Sequence, residues 1–163
     1  YIRAAKSVLN HRDDVTFLAV GTGPMEEQWK NEVPHDLKGK IIFTGMRDDV
    51  DDVLHITDIS VLCSNAETHG EGISNTILES MASGIPVIAT RGGGTSEIVL
   101  ENETGFLITP KCDEELAIKI EQLLDSDTLR MNMGKNSYQR IKKYFSLGYS
   151  TEQYIKIYQN IQK

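Results

Sequence analysis

Short apolar segments that alternate with helical segments constrain the fold of this chain more than any other feature. Each apolar segment is bounded by turn-forming residues and resembles a strand that is buried on both faces. Strands that alternate with helices indicate βαβ units and a parallel sheet. The predicted strands cover residues 15–21, 40–45, 58–64, 85–90 and 105–109, and the predicted helices cover residues 1–10, 24–32, 49–57, 75–83, 95–100, 113–124, 127–144 and 150–162. We therefore predict an α/β fold with helices on both faces of the sheet.

Several of these boundaries coincide with residues that start or stop helices. Pro24 suits a first helical turn because its φ angle is already helical. Gly84 suits a left-handed residue that ends a helix. The side chains of Asp113 and Asp127 are expected to cap the helices that follow them. A chain of 163 residues has the size of one domain, and we treat residues 1–163 as a single domain.

Charge, apolar runs and cysteine spacing argue against several kinds of partner and site. The formal net charge of −7 argues against nucleic acid, because phosphate binding needs a basic face. Four aspartates lie at the start of a predicted helix: Asp48, Asp49, Asp51 and Asp52. Negative charge is favoured there by the helix dipole, and we prefer this explanation to a metal site. No apolar run approaches the roughly 18 residues of a membrane span. Cys63 and Cys112 lack metal-ligand spacing, so we expect two thiols in a reducing compartment.

Residues 71–90 combine carboxylates with a glycine-broken loop, a helix start and a buried strand. Glu71 precedes Gly72, which frees the backbone to approach a ligand closely. Ser74 or Asn75 can cap the next helix, and its first N–H groups would favour a phosphate. Glu79 adds a second carboxylate eight positions after the first. Carboxylates accept hydrogen bonds from hydroxyls, so this combination fits a ribose, a diphosphate and a sugar.

The order of these residues resembles the C-terminal domains of retaining family-4 glycosyltransferases of the GT-B fold. Glu71 and Glu79 stand at the spacing E-x7-E that this family carries before a Gly-Pro turn and a Gly-Gly loop. The resemblance extends to Gly21, Thr22, Gly23, Pro24, Phe43, Thr44, Gly45, Met81, Ala82, Ser83, Gly84, Pro86, Val87, Ile88, Ala89, Thr90, Gly92, Gly93, Glu97 and Gly105. It implies a Rossmann-like, C-terminal half of a GT-B enzyme.

The resemblance also implies roles for the two glutamates and the loop between them. Glu71 would be the catalytic residue that orients the transferred sugar, and Glu79 would bind the ribose hydroxyls. The backbone N–H groups near the diphosphate would come from Ser74, Asn75 and Thr76. Gly72 and Ile73 would form the donor-binding loop before them. The family often has Gly-Phe-Gly where this chain has Gly72-Ile73-Ser74, so the donor sugar does not follow from this loop.

Two further strand ends are expected to approach the nucleotide. Gly21 and Gly23 form a tight turn after a strand, but Glu26 occupies the sixth position of what would be a dinucleotide fingerprint, so we reject an NAD site. Met46 and Arg47 lie in the loop where the resembled family binds the base through backbone groups. For Arg47 a plain surface charge is an equally good interpretation.

The glycine run after the fourth predicted strand supplies the last loop of the expected site. Gly92 and Gly93 allow close approach of the backbone, and Thr95 or Ser96 can cap the helix after them. Glu97 suits the first turn of that helix because negative charge is favoured there.

The resemblance implies a glycosyltransferase domain that binds a nucleotide-diphosphate sugar for retaining transfer to an acceptor that the sequence does not identify. No metal or other cofactor is expected. We expect the chain to be truncated at its N-terminus, to lack the acceptor domain and a basic loop, and to be inactive alone. The expected location is cytoplasmic, with membrane association through the missing domain left open. The alternatives are a nucleotide-sugar epimerase of the GT-B type and a non-enzymatic, doubly wound regulatory module.

The last predicted helix carries an apolar stripe that needs a covering surface. Tyr154, Tyr158 and Ile161 recur at helical spacing on one face. In the resembled family the corresponding helix often crosses back to the other domain, so we expect this stripe to be exposed in the chain.

Overall fold

A computed structural model describes residues 1–64 and 72–161 of the chain. Its strands are β1 (Phe17–Val20), β2 (Ile41–Gly45), β3 (Ser60–Leu62), β4 (Val87–Thr90) and β5 (Gly105–Ile108). Its helices are α1 (Ile2–Leu9), α2 (Glu26–Glu32), α3 (Val50–His55), α4 (Asn75–Ala82), α5 (Thr95–Ile98), α6 (Asp113–Leu124), α7 (Asp127–Tyr144) and α8 (Leu147–Ile161). Each predicted strand and helix is confirmed, with shorter ends in most cases. A 3-10 helix, His35–Leu37, is an addition.

All strand pairs are parallel, as predicted, but the strands form two sheets where the sequence suggested one. β1 pairs with β2 in a two-stranded sheet, and a three-stranded sheet has the order β3-β4-β5. Within residues 1–64 and 72–161, no strand pairing joins the two sheets. The α/β class is therefore confirmed, and the continuity of the sheet is not.

Helices cover both faces of the three-stranded sheet because alternate strand residues point to opposite sides. Ile88, Phe106 and Ile108 belong to a core that contains buried residues of α1 and α6. Val87, Ala89 and Leu107 belong to a second core, formed with α4 and the segment that starts at α5. The first core also takes Phe17 from β1 and Ile41 from β2. One apolar layer therefore spans both sheets.

The two predicted aspartate caps are wrong by one residue. Asp113 and Asp127 are the first residues of α6 and α7, and each lies in the first helical turn. Ser126 caps α7 instead, where its hydroxyl accepts a hydrogen bond from the N–H of Leu129 at 3.2 Å. The carboxylate of Asp127 pairs with Arg130 at 2.8 Å, so it serves the helix as a first-turn charge.

Helix α7 packs closely on the turn that ends α4. Gly84 has a φ of 75°, which confirms the predicted left-handed helix end. A Cβ atom on Gly134 of α7 would lie 2.0 Å from the carbonyl oxygen of Gly84, so only glycine fits this crossing. The hydroxyl of Ser137, one turn later, donates to the carbonyl of Thr104 at 2.8 Å. The middle of α7 is therefore attached to the core, where its buried residues Met133, Gly134 and Ser137 lie.

Helix α8 differs from the other long helices because none of its residues is buried. Tyr154, Tyr158 and Ile161 are 64%, 66% and 73% exposed, so the predicted apolar stripe faces solvent in this chain. The helix begins at Leu147, three residues before the predicted start at residue 150. Ser146 stabilises that start, because its hydroxyl accepts a hydrogen bond from the N–H of Tyr149 at 3.3 Å.

Candidate functional site

The N-terminus of α4 is the centre of the candidate site. Ser74 is the N-cap residue and has extended backbone angles, but its hydroxyl accepts no capping hydrogen bond from the helix. The expected side-chain cap by Ser74 or Asn75 is therefore wrong for the described residues. Asn75 and Thr76 are exposed, and the first helical hydrogen bond runs from the N–H of Leu78 to the carbonyl of Ser74 at 3.2 Å. Among the described residues, no side-chain cap is seen at the first amides of α4.

Glu79 lies on the solvent side of the same helix. It is exposed, and it follows Asn75 by four residues, so the two side chains share one helical face. The opposite face is fully packed, because Ile77, Ser80 and Met81 are each at most 1% exposed. The amphipathic character of α4 therefore leaves Glu79 exposed to solvent on the same helical face as Asn75.

Glu71, the predicted catalytic residue, lies outside the described residues, but the chain after it is described. Gly72 and Ile73 are exposed and pack against the glycine turn that precedes α5. A Cβ atom on Gly94 would lie 2.5 Å from the carbonyl oxygen of Gly72 and 3.2 Å from the Ile73 side chain. The two loops are therefore in direct backbone contact, which only a glycine at position 94 permits.

The glycine turn itself has a backbone conformation that favours glycine. Gly92 and Gly93 have φ angles of 148° and 51°, which other residues rarely adopt. The N–H of Thr95 donates to the carbonyl of Gly92 at 3.2 Å and closes the turn onto α5. The structure thus places Gly72 and Ile73 against Gly94, which directly follows Gly92 and Gly93.

Thr90 and Gly94 support the site, although the sequence analysis did not list either of them as a site residue. The buried hydroxyl of Thr90 accepts a hydrogen bond from the N–H of Ser64 at 3.0 Å and donates to its carbonyl at 2.9 Å. Residues 90–94 therefore contact the described chain at Ser64 and again at Gly72. A threonine that ends a strand before a glycine run is the sequence feature that would have indicated this anchor.

A second pair of strand ends carries the other predicted residues. The N–H of Gly21 donates to the carbonyl of Gly45 at 2.8 Å, and both glycines have left-handed φ angles, 112° and 68°. This bond joins the loop of Gly23, which is exposed, to the loop of Met46, whose side chain is 76% exposed. The turns after β1 and β2 are therefore held side by side.

Arg47 follows Met46 but its guanidinium is already occupied. It forms an ion pair with Asp49, with Nε donating to Oδ1 at 2.7 Å and a second, shorter contact to Oδ2. This pair raises the pKa of Arg47 and lowers the pKa of Asp49. This geometry agrees with the interpretation of Arg47 as a surface charge, because its side chain is engaged in the ion pair with Asp49.

Arg140 on α7 fixes the far end of α5. Its Nε donates to the carbonyl of Ile98 at 2.6 Å and its terminal nitrogen donates to the carbonyl of Glu97 at 2.5 Å. The guanidinium also lies 5.6 Å from the ring centres of Tyr144 and Phe145. A cation at a helix C-terminus is favourable, so α5 and the glycine turn before it are tied to α7.

A cavity of about 270 Å³ lies where β3, β4 and β5 end. Its lining includes Ser64, Thr90 and Thr109 and extends to Tyr1 and Trp29, but the predicted donor residues do not line it. Among residues 1–64 and 72–161, no group of three or more His, Cys, Asp or Glu side chains is arranged to hold a metal ion. No described helix is both long enough and apolar enough to cross a membrane.

Comparison with known families decides between the functional classes that the sequence left open. A model of the family described as glycosyl transferases group 1 matches residues 1–140. The chain belongs to this family. Its fold and its function as a group 1 glycosyltransferase domain agree with the sequence prediction, and neither the epimerase nor the regulatory module is favoured.

Relatives of known name cover most of this chain but extend far beyond it. N-acetyl-alpha-D-glucosaminyl L-malate synthase of Bacillus anthracis is 30% identical over 152 residues, which are 91% of this chain and 38% of that enzyme. The C-terminal domain of the group 1 glycosyl transferase LpcC from Francisella tularensis is 30% identical, with a TM-score of 0.75 over 90% of this chain and 77% of that one. This chain thus spans well under half the length of the full-length relative.

A third protein shows how widely the fold is shared. HepE of Anabaena, whose crystal structure was determined in complex with UDP-glucose, has a TM-score of 0.79 and covers 97% of this chain with 44% of its own. Its sequence is 23% identical, so this likeness concerns the fold alone. The Rossmann-like arrangement predicted from the alternation of strands and helices is therefore confirmed for the described chain.

Proposed function

We propose that this domain binds the nucleotide-diphosphate sugar of a retaining glycosyltransferase at the N-terminus of α4. The observation that carries this proposal is the backbone contact between Gly72 and Gly94. It brings two glycine-containing loops together next to the start of α4, whose N-cap residue Ser74 makes no side-chain capping bond. Amides at a helix N-terminus favour phosphate, and the exposed Glu79 on the same helix suits a ribose. The family of the chain and the name of the Bacillus anthracis relative support glycosyl transfer.

The chemistry that we propose is electrostatic. The amides of residues 74–76 would stabilise the negative charge that develops on the departing diphosphate. They lie at the N-terminus of α4, which is the positive end of the helix dipole. Glu79 would accept hydrogen bonds from the ribose hydroxyls, and Glu71 would orient the transferred sugar. Stabilisation of this kind needs no metal ion, and we propose that none takes part.

The proposal divides the reaction between this domain and the rest of a longer protein. Acceptor binding and the basic residues expected near the diphosphate are assigned in this proposal to polypeptide outside the 163 residues, since this chain spans only 38% of the Bacillus anthracis enzyme. We therefore propose that the chain alone binds nucleotide weakly and transfers no sugar. Measurable transfer by the isolated chain would contradict this division.

Substitution of Glu79 by alanine tests the proposed donor site directly. A hydrogen bond to a charged group contributes about 1.5–3 kcal/mol, so Glu79→Ala should weaken nucleotide binding roughly tenfold or more. Calorimetry with UDP, GDP and ADP in EDTA measures this change and the independence from metal at the same time. Loss of binding on chelation would show that an ion takes part.

Two further variants serve as controls for this test. Glu152→Ala removes an exposed glutamate from α8, far from the proposed site, and should leave nucleotide affinity unchanged. Glu71→Ala should also leave the affinity for free nucleotide nearly unchanged and should reduce transfer by the full-length protein. Equal losses of affinity for Glu71→Ala and Glu79→Ala would show that the proposed division of roles is wrong.

A further inference from the structure

Charge is distributed unevenly along this chain. Residues 128–151 contain no aspartate or glutamate and five basic residues: Arg130, Lys135, Arg140, Lys142 and Lys143. No other stretch of this length is free of acidic residues, and the whole chain has a net charge of −7. Most of the segment forms α7, from which it continues into the start of α8. Helix α7 therefore carries positive charge on an otherwise acidic domain.

Two of the five basic side chains are used within the domain. Arg130 pairs with Asp127, one turn earlier in the helix, at 2.8 Å. Arg140 donates to two carbonyls at the end of α5. The other three are exposed and form no ion pair within residues 1–64 and 72–161: Lys135, Lys142 and Lys143. These three lysines are therefore free to meet a partner.

An outer stripe of α7 combines two of these lysines with two exposed apolar side chains. Met131, Lys135, Tyr138 and Lys142 follow one another at intervals of four, three and four residues, so they lie on one face of the helix. All four are exposed, and Met131 is 73% exposed. The Nζ atom of Lys142 lies 5.8 Å from the ring centre of Tyr138. The stripe is therefore basic and apolar at the same time.

The bend between α7 and α8 has the same mixed character. The Nζ atom of Lys143 lies 4.8 Å from the ring centre of Tyr144, and that ring packs edge-on against Tyr149 of α8, with 5.9 Å between the ring centres. Leu147, which lies between the two tyrosines in the chain, is 84% exposed. This is the highest exposure among the large hydrophobic residues that the structure describes. The most exposed apolar side chain thus lies in the segment that has no acidic residue.

This combination suits the surface of a lipid bilayer. Lysine can lay its apolar stem along a hydrocarbon phase while its charge stays in water, and tyrosine is enriched at the interface between membrane and water. Anionic headgroups attract basic residues. A nucleic acid would use the lysines alone, and an acidic protein would need a pocket for each projecting apolar side chain. The mixture of charge and apolar groups therefore favours a bilayer.

We propose that the outer stripe of α7, together with Lys143 and Leu147 at the bend, docks this domain on a bilayer that contains anionic lipids. The lysines contact lipid phosphates, and Met131, Tyr138 and Leu147 enter the headgroup region. All 24 acidic residues of the chain lie outside residues 128–151, so the rest of the domain is repelled by the same surface. The separation of charge orients the domain as it approaches the bilayer.

Sedimentation with vesicles of defined composition tests this proposal. The chain should bind vesicles of phosphatidylcholine mixed with phosphatidylglycerol more tightly than vesicles of phosphatidylcholine alone, and the preference should weaken as salt rises. A lysine near an anionic membrane strengthens binding roughly fivefold, so the double variant Lys135→Gln and Lys142→Gln should bind roughly twentyfold more weakly. Lys135→Arg with Lys142→Arg should retain the affinity. Equal binding to the two kinds of vesicle would overturn the proposal.

A second double variant controls for net charge. Arg3→Gln with Lys38→Gln removes two exposed positive charges that lie outside residues 128–151, so it changes the net charge by the same amount. This variant should keep its affinity for anionic vesicles within about twofold. A loss as large as that of the α7 variant would mean that net charge alone governs binding, which would contradict a specific docking surface. Because the four substituted residues are exposed, both variants should melt like the parent.

Apolar variants distinguish a bilayer from other anionic partners. Met131→Ser and Leu147→Ser should each weaken binding to anionic vesicles about fivefold or more, because less apolar surface leaves water. Neither should alter binding to heparin, a soluble polyanion without an apolar phase. If both variants bound the vesicles as tightly as the parent, the stripe would be a general anion-binding surface and the proposal would fail. Tyr154→Ser, which changes the apolar stripe of α8, should leave the preference for anionic lipid intact.

These measurements use no nucleotide, and none of the substituted residues belongs to the proposed donor site. Failure of the membrane proposal therefore leaves the donor-site proposal to its own test.

Discussion

The two sheets of this domain share a core, yet they are buried to very different degrees. All residues of β4 and β5 are buried, whereas β1 and β2 contribute one buried residue each, Phe17 and Ile41. Helices α2 and α3, which follow β1 and β2, contain no buried residue, and α4 contains three. On the three-stranded side β4 and β5 are covered completely, whereas β3 has no buried residue. Substitutions should therefore affect the two sides unequally.

The largest expected effect comes from a glycine at the centre of the three-stranded side. A Cβ atom on Gly105 would lie 2.0 Å from the carbonyl oxygen of Val87, so Gly105→Ala must push β4 and β5 apart. Forced overpacking of a core costs about 1–3 kcal/mol and sometimes more, and we expect a loss of roughly 3 kcal/mol in the free energy of unfolding. Urea denaturation measures it.

Gly39 provides the matched control for this substitution. No atom lies within 4 Å of a Cβ placed there, and the residue lies in the turn before β2. Gly39→Ala should change the free energy of unfolding by less than about 1 kcal/mol. Similar losses in the free energy of unfolding for Gly105→Ala and Gly39→Ala would mean that the two sheets do not differ in how tightly they are packed.

A matched pair of isoleucines gives the next largest difference. Ile88 in β4 is fully buried, and Ile42 in β2 is 40% exposed. Removal of a buried isoleucine side chain costs about 2–5 kcal/mol because it leaves a cavity, so Ile88→Ala should lie in that range. Ile42→Ala should cost clearly less, about 1 kcal/mol. If the two variants were equally destabilised, the two-stranded side would be better packed than its exposure indicates.

The smallest expected effect is a pH dependence at the junction between the sides. Arg12 pairs with Asp14, which precedes β1, at 2.8 Å and with Asp125 after α6 at 2.5 Å. The hydrogen bond from Arg12 lowers the pKa of Asp14 from 3.8 to about 2. A carboxyl group whose pKa is lower in the folded state stabilises the protein above its unfolded pKa. This contribution should therefore disappear as the pH falls from about 4 to about 2.

Thermal unfolding between neutral and acidic pH measures this contribution, with Asp14→Asn as the comparison. The variant should melt slightly lower than the parent at neutral pH, and the difference should vanish in acid. The exposed position of the pair keeps the effect small. A difference in melting temperature that persists in acid would show that Asp14 acts through packing and not through its charge.

Local patterns predicted most of the fold because each strand and helix depends on nearby residues. The left-handed Gly84 and the buried face of α4 both follow from short-range sequence periodicity. The cap of α7 was misplaced because Ser126 and Asp127 are both good capping residues and stand side by side. The break between the sheets was not predictable, because the choice of which strands pair depends on groups far apart in the chain.

The candidate site was predicted in part for the same reason. The exposure of Glu79 follows from its place on an amphipathic helix, and the φ angles of Gly92 and Gly93 follow from residue type. The contact of Gly94 with Gly72 and the bonds of Thr90 to Ser64 are tertiary, so no spacing in the sequence specifies them. The ion pair that occupies Arg47 depends on the rotamers of two adjacent loop residues.

The two hydrogen bonds of Arg140 give α7 a mechanical role. The helix is anchored at Gly134 against the end of α4, and Arg140 holds the last carbonyls of α5. It then leads into α8, none of whose residues is buried. A surface that covers the apolar stripe and displaces α8 would therefore tilt α7 about its close contact at Gly134. The guanidinium of Arg140 would connect that movement to α5, which follows the glycine turn.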